Sequence, residues 1–147
     1  MSADVSLFPS QNTGVPYKNC LDAHEAFVSA ARNLYAANVT WVAPCRGIRW
    51  QGCELVIRQL LREASGMHDP EFTLLRRNES EQQIIDEFAV RFVYTGEGID
   101  NAPISKGDFV ELKRVRVLDM HAGRCTQETC IESWCVLLPN EHRAGEI

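Results

Sequence analysis

The chain has 147 residues and a formal net charge of −5, with 45% hydrophobic and 24% charged residues. That length suits one domain with a core of its own, and the composition is that of an ordinary soluble globular chain. The acidic balance argues against a nucleic-acid partner, which needs a basic patch on a basic domain; Arg76 with Arg77, and Lys113 to Arg116, are clusters too small to reverse it.

No apolar run approaches the ~20 residues that cross a bilayer. The first residues, MSADVSLFPSQNTG, lack the basic start and apolar stretch of a secretory signal. No membrane partner and a cytoplasmic location are therefore expected. Residues 1–18 read as a flexible arm, 19–138 as the domain and 139–147 as a tail.

The helix signals come first. Residues 20–36, CLDAHEAFVSAARNLYA, place Cys20, His24, Phe27, Val28, Ala31 and Tyr35 on one helical face. Asn19 suits the N-cap, with Asp22 in the first turn. A short strand follows at 38–44 (NVTWVAP), stopped by Pro44, and another at 47–50 (GIRW). Gly52 breaks the chain. Residues 53–66 then form a second amphipathic helix, with Val56, Ile57, Leu60, Leu61 and Ala64 as its stripe and Gly66 as its stop.

From there the pattern alternates. Strands are expected at 71–80, 82–96, 109–120 and 125–138, with a turn-rich loop at 96–108 and a tight turn at HAGR. In the 82–96 strand, Phe88, Val90, Phe92 and Tyr94 share one face, and Glu87, Ala89, Arg91 and Val93 the other. Helices followed by long strands predict an α+β fold: a curved, mainly antiparallel sheet wrapped around N-terminal helices, forming a cone with an internal pocket.

The six cysteines are Cys20, Cys45, Cys53, Cys125, Cys130 and Cys135. Without an export signal they read as free thiols. On a continuous strand, Cys130 would face away from Cys125 and Cys135, so no metal cage converges. No C-x-x-C, paired histidine or nucleotide loop is present either. No metal and no cofactor are expected.

The stretch VELKRVRVLD, Val110 to Asp119, carries unusual charge for a strand. Alternation puts Arg114 and Arg116 on the face of Leu112 and Leu118, with Lys113 on the other. An inward Arg116 needs a carboxylate partner or an anionic ligand, because an unpaired buried guanidinium is costly. Its fork matches a carboxylate in two hydrogen bonds.

His24 is either a general acid/base, titrating near neutrality, or a satisfied core histidine. Tyr35 is a donor to a developing oxyanion or a core aromatic. Asp86, on the face of Phe88, is an acid or one half of a cross-sheet ion pair. Trp41, Trp50, Phe92 and Tyr94 line an aromatic pocket or simply fill the core. Glu132 alternates with Cys130 and Trp134 and contacts ligand or pairs with Arg114 or Arg116.

The chain resembles the nuclear transport factor 2-like superfamily, in particular its SnoaL-like members, over about residues 20–135. The pieces that carry the resemblance are LYAANVTWVAP, WQGCELVIRQLL, AVRFVYTGEG and VRVLDMHAGR. It implies the cone fold and a homodimer packed through the outer face of the sheet. Its functions range over isomerases, polyketide cyclases, dehydratases, epoxide hydrolases and non-catalytic modules, so the fold alone selects none. SnoaL-like cyclases carry an inward histidine after the long strand and an acid in the next one. The matching positions here are Gly98 and Arg116, so that mechanism does not carry over.

Two functions stay open. One is a cofactor-free isomerase, cyclase, dehydratase or hydrolase acting on a small hydrophobic or anionic molecule. The other is a non-catalytic ligand-binding or dimerisation module. An open cavity with unpaired polar groups marks the first; a filled one, with Arg116 neutralised by Glu132 or another acid, marks the second.

Overall fold

The structure, a computed structural model, describes residues 20–140, with side chains from residue 23 onward. The expected arm, the Asn19 cap, most of the expected tail, and the side chains of Cys20 and Asp22 lie outside the described residues. The chain runs through Cys20–Leu34 (α1), Tyr35–Ala43 (β1), a 3-10 turn at Pro44–Arg46, Ile48–Gln51 (β2) and Cys53–Ser65 (α2). Met67–Glu79 (β3), Gln83–Tyr94 (β4), Phe109–His121 (β5) and Arg124–Leu138 (β6) follow. One six-stranded sheet has the order β2-β1-β6-β5-β4-β3. Its β1 and β6 neighbours are parallel, and the other pairs are antiparallel. The fold is α+β, with the helices against a curled open sheet, as the element order predicts. Among the described residues no helix is long and apolar enough to cross a membrane.

On α1 the face that packs inward carries Phe27, Val28, Ala31 and Leu34. His24, expected on that face, is exposed. Tyr35, also expected there, opens β1 instead, because its backbone pairs with Cys125 of β6 and cannot also stay helical. On α2, Val56 and Ile57 are buried, and so is Glu63 about two turns further on. Gly66 does end α2, but with φ −77, an ordinary right-handed conformation. The glycine is required for a different reason: a Cβ there would sit 2.4 Å from the Glu97 carbonyl oxygen of the 95–108 loop.

Burial alternates along β4 from Ile84 to Tyr94 and along β5 from Val110 to Leu118, as the period of two predicts. β6 breaks the rule. Met120 pairs with Cys125 but Asp119 pairs with Gln127, so β6 carries an extra residue there. Such a bulge reverses the parity of everything before it. Cys125 and Cys130 are consequently both buried, which corrects the expectation that they face opposite ways. The β5–β6 turn has Ala122 at φ 50 and Gly123 at φ 80, the positive pair that a two-residue hairpin turn requires. β3 begins earlier than expected, at Met67, and forms a bulged, largely exposed edge.

The inner face holds two apolar clusters. The first includes Ala31, Leu34, Trp41, Val56, Ile84 and Leu118. The second includes Phe72, Phe88, Val90, Phe92, Val110 and Leu112. Along β4 the order is Ile84, Asp86, Phe88; along β5 it is Leu112, Arg114, Arg116, Leu118. A belt of buried charge therefore crosses the sheet where one cluster ends and the other begins.

Candidate functional site: a buried charge belt

The first half of the belt centres on Glu128 of β6, which is 1% exposed. Past the bulge, the period of two puts Glu128, Cys130 and Glu132 together on the inner face. Tyr35 donates its hydroxyl to Glu128 Oε1 at 2.6 Å, and Trp41 donates Nε1 to Oε2 at 3.0 Å. Arg116 of β5 grips both oxygens, with Nε at 2.9 Å and Nη2 at 3.2 Å. The Cys130 thiol adds a contact at 3.4 Å. Both oxygens of this carboxylate are thus occupied by donors.

Asp86 of β4 lies on the far side of Arg116 and is 2% exposed. Its Oδ2 is 3.6 Å from Arg116 Nη1, and its Oδ1 is 3.6 Å from Arg77 Nε of β3. These are ion-pair distances. Asp86 Oδ1 has no hydrogen-bond partner, which is uncommon for a buried carboxylate oxygen.

The two acids are pushed apart. Burial by itself would raise Glu128, but the Arg116 charge and the hydrogen bonds from Arg116, Tyr35 and Cys130 outweigh it and hold the group below the ordinary carboxylate range. For Asp86, burial wins over the Arg116 and Arg77 charges, and its carboxyl is raised. Burial also pushes the Tyr35 hydroxyl well up, with the Glu128 charge adding to it.

The second half of the belt is a closed quartet. Arg46, from the 3-10 turn, donates Nε to Glu132 Oε1 at 2.7 Å and Nη2 to Glu63 Oε2 at 2.8 Å. Arg114 donates Nε to Glu132 Oε2 at 2.8 Å, and its Nη2 reaches both Glu132 and Glu63. Two guanidiniums and two carboxylates thus neutralise one another. Arg114 also lies 5.6 Å from the Trp41 ring centroid, and Trp41 stacks on Trp50 at 4.4 Å and 15°.

Among the sequence candidates, Tyr35, Trp41, Asp86 and Arg116 converge around Glu128. Glu132 belongs to the quartet and pairs with Arg114, one of the two partners expected for it. Trp50 joins through Trp41. Phe92 and Tyr94 lie in the second apolar cluster, and His24 is exposed on α1. Glu128, Glu63 and Arg46 escaped the sequence reading. Glu128 alternates with Cys130 and Glu132, and Glu63 sits on the apolar stripe of α2, so both left a signal. Arg46, in a turn, left none.

No protein-family model and no curated protein matches this sequence. Solved structures do match it. A candidate SnoaL-like polyketide cyclase from a Jannaschia species is 11% identical, with a TM-score of 0.61 and 74% of each chain covered. A protein of ketosteroid isomerase-like fold from Catenulispora acidiphila, solved with trimethylamine, is 16% identical, with a TM-score of 0.54 over 70% of this chain and 72% of that one. An LEH-like epoxide hydrolase of M. tuberculosis is 14% identical, with a TM-score of 0.52 over 75% of this chain and 73% of that one. By its sheet order, helix placement and these likenesses, the chain has the nuclear transport factor 2-like fold.

Proposed function

We propose that this chain binds a small hydrophobic or anionic molecule on the inner face of the cone and transfers a proton at Asp86 without a cofactor. One observation carries the reading. Asp86 keeps a buried oxygen with no hydrogen-bond partner, while the neighbouring Glu128 is filled with donors. Two carboxylates displaced in opposite directions are the usual mark of divided acid and base roles. Glu128 then stays ionised and orients Arg116 and Tyr35; Asp86 gains and loses the proton; Arg116 faces developing negative charge. The chemistry is of the isomerase, cyclase, dehydratase or hydrolase kind, a range that the cyclase and epoxide hydrolase of the same fold support.

The test uses cyclic ketones in D2O, read by NMR for exchange at the α-carbon, and cyclic epoxides, read for diol formation. Asp86→Asn is expected to lose at least about 100-fold in turnover with the fold intact. Unchanged turnover in that variant sinks the assignment.

A second reading is a non-catalytic ligand-binding or dimerisation module. The closed quartet favours it, since those charges serve one another, and so does Arg116, which is neutralised by Glu128 and Asp86 as that reading expects. Ligand binding without turnover in either panel selects it. In both readings we propose a homodimer through the outer sheet face, where Ile131 is 49% exposed beside half-buried Val115 and Val117. A cytoplasmic setting would keep Cys125 and Cys130 reduced.

A further inference from the structure

Away from the charge belt, the 95–108 loop meets α2 at a surface cleft. The loop inserts Ile99 into the second apolar cluster, among Met67, Phe72, Phe92 and Tyr94, and leaves it only 4% exposed. The next residue, Asp100, accepts a hydrogen bond from Arg62 of α2 at 2.8 Å, with both side chains about half exposed. Beside this pair is an open cleft of about 300 Å³ bordered by Arg62, Ser65, Tyr94, Glu97, Gly98 and Asp100.

The chain thus places an apolar side chain in a core and, one residue on, a carboxylate on a surface arginine. We propose that Ile99 and Asp100 occupy a site for a small alicyclic or aromatic carboxylate, and that such a ligand displaces them. Its ring takes the place of Ile99, and its carboxylate takes the place of Asp100 on Arg62.

The geometry allows the exchange. An exposed ion pair is weakly held, and the guanidinium fork accepts an equivalent carboxylate equally well. Gly96 and Gly98, at φ 100 and φ 98, lead into Ile99, and the Gly98 backbone packs closely on the Arg62 carbonyl at the end of α2. The remaining ties of this segment are modest. Arg46 Nη1 donates to the Asp100 carbonyl at 3.0 Å, Asn101 Nδ2 donates to the Arg46 carbonyl at 2.9 Å, and the Tyr94 hydroxyl makes a long contact of 3.5 Å to the Ile99 carbonyl. The site shares no residue with Asp86 and does not depend on proton transfer there.

The experiment is a titration of the full chain with cyclohexanecarboxylate, followed by the amide signals of Ile99 and Asp100. Asp100→Asn frees Arg62 without touching the core and is expected to tighten binding at least about 5-fold. Ile99→Ala removes the internal occupant and is expected to tighten it at least about 10-fold. Arg62→Met, or the neutral probe cyclohexylmethanol, should bind at least about 10-fold more weakly. Asp86→Asn should change nothing. Equal affinity in Asp100→Asn and the unaltered chain, or unchanged affinity in Arg62→Met, overturns the proposal. Asp100→Asn is a surface change, so it decides the matter even if Ile99→Ala fails to fold.

Discussion

Replacing Glu128 with Gln would test the belt at its most connected point. The variant keeps the shape and one acceptor, but it removes the charge that faces Arg116 and turns an NH₂ group toward atoms that donate. Arg116 loses the charge behind two hydrogen bonds, at 2.9 and 3.2 Å, and keeps its ion pair with Asp86 at 3.6 Å. Removing one member of a buried ion pair costs about 3–5 kcal/mol, because the other charge stays buried. The remaining Asp86 contact argues for the lower end, about 3 kcal/mol. With a urea dependence of about 1.5 kcal/mol per molar, the unfolding midpoint should fall by about 2 M. Urea unfolding followed by tryptophan fluorescence measures this directly. A midpoint shift under about 0.5 M, with the slope unchanged, would refute the claim that Glu128 holds the belt. Replacing both partners, as Arg116→Met with Glu128→Leu, should cost less than either single change, since neither charge is then left stranded.

The pH dependence has two opposite parts. Glu128 and Glu132 are depressed in the fold, so their contribution is fully present above the ordinary carboxylate value of about 4.3 and is lost as pH falls through their lower folded values. Asp86 is raised, so what its protonated form contributes is present below about 3.9 and is lost as pH rises through its folded value. Asp86→Asn should therefore melt higher than the unaltered chain at pH 7, with the gain gone at pH 3; a lower melting temperature at pH 7 contradicts this. Ile131→Glu should shift sedimentation to the monomer with the secondary structure kept by circular dichroism, and an unaltered chain that already sediments as a monomer rules out the homodimer. Gly66→Ala should destabilise by about 1–2 kcal/mol in chemical unfolding, because the Glu97 carbonyl must move; a neutral or stabilising result would show that the loop yields freely.

Much of the fold was legible. The change from helical to alternating spacing after Gly66 named the class, and the period of two put Phe88 through Tyr94 on one apolar face and Arg114 with Arg116 on the face of Leu112 and Leu118. The two misplacements on α1 share a cause. A helical face wide enough to take in His24 and Tyr35 cannot be trimmed from spacing alone; the neighbouring β6 decided where the helix ends. The candidate site was half legible. Tyr35, Asp86 and Arg116 stood out as polar groups on apolar faces, but Glu128, which Tyr35 and Arg116 share, did not.

What the sequence alone determined here is therefore local: element type, strand parity, and the prediction that an inward arginine must find an anion. Those follow from backbone geometry and desolvation, which act within a few residues. Which anion it finds belongs to the tertiary structure. Register set Arg114 opposite Glu132 and Asp86 opposite Arg116, and the bulge at the start of β6 left Glu128 inside with Cys125. In VELKRVRVLD the two inward charges are met by acids from three other elements, α2, β4 and β6. Ion pairing is set by distance in space, and only the folded sheet brings residues 63, 86, 128 and 132 within reach of 114 and 116.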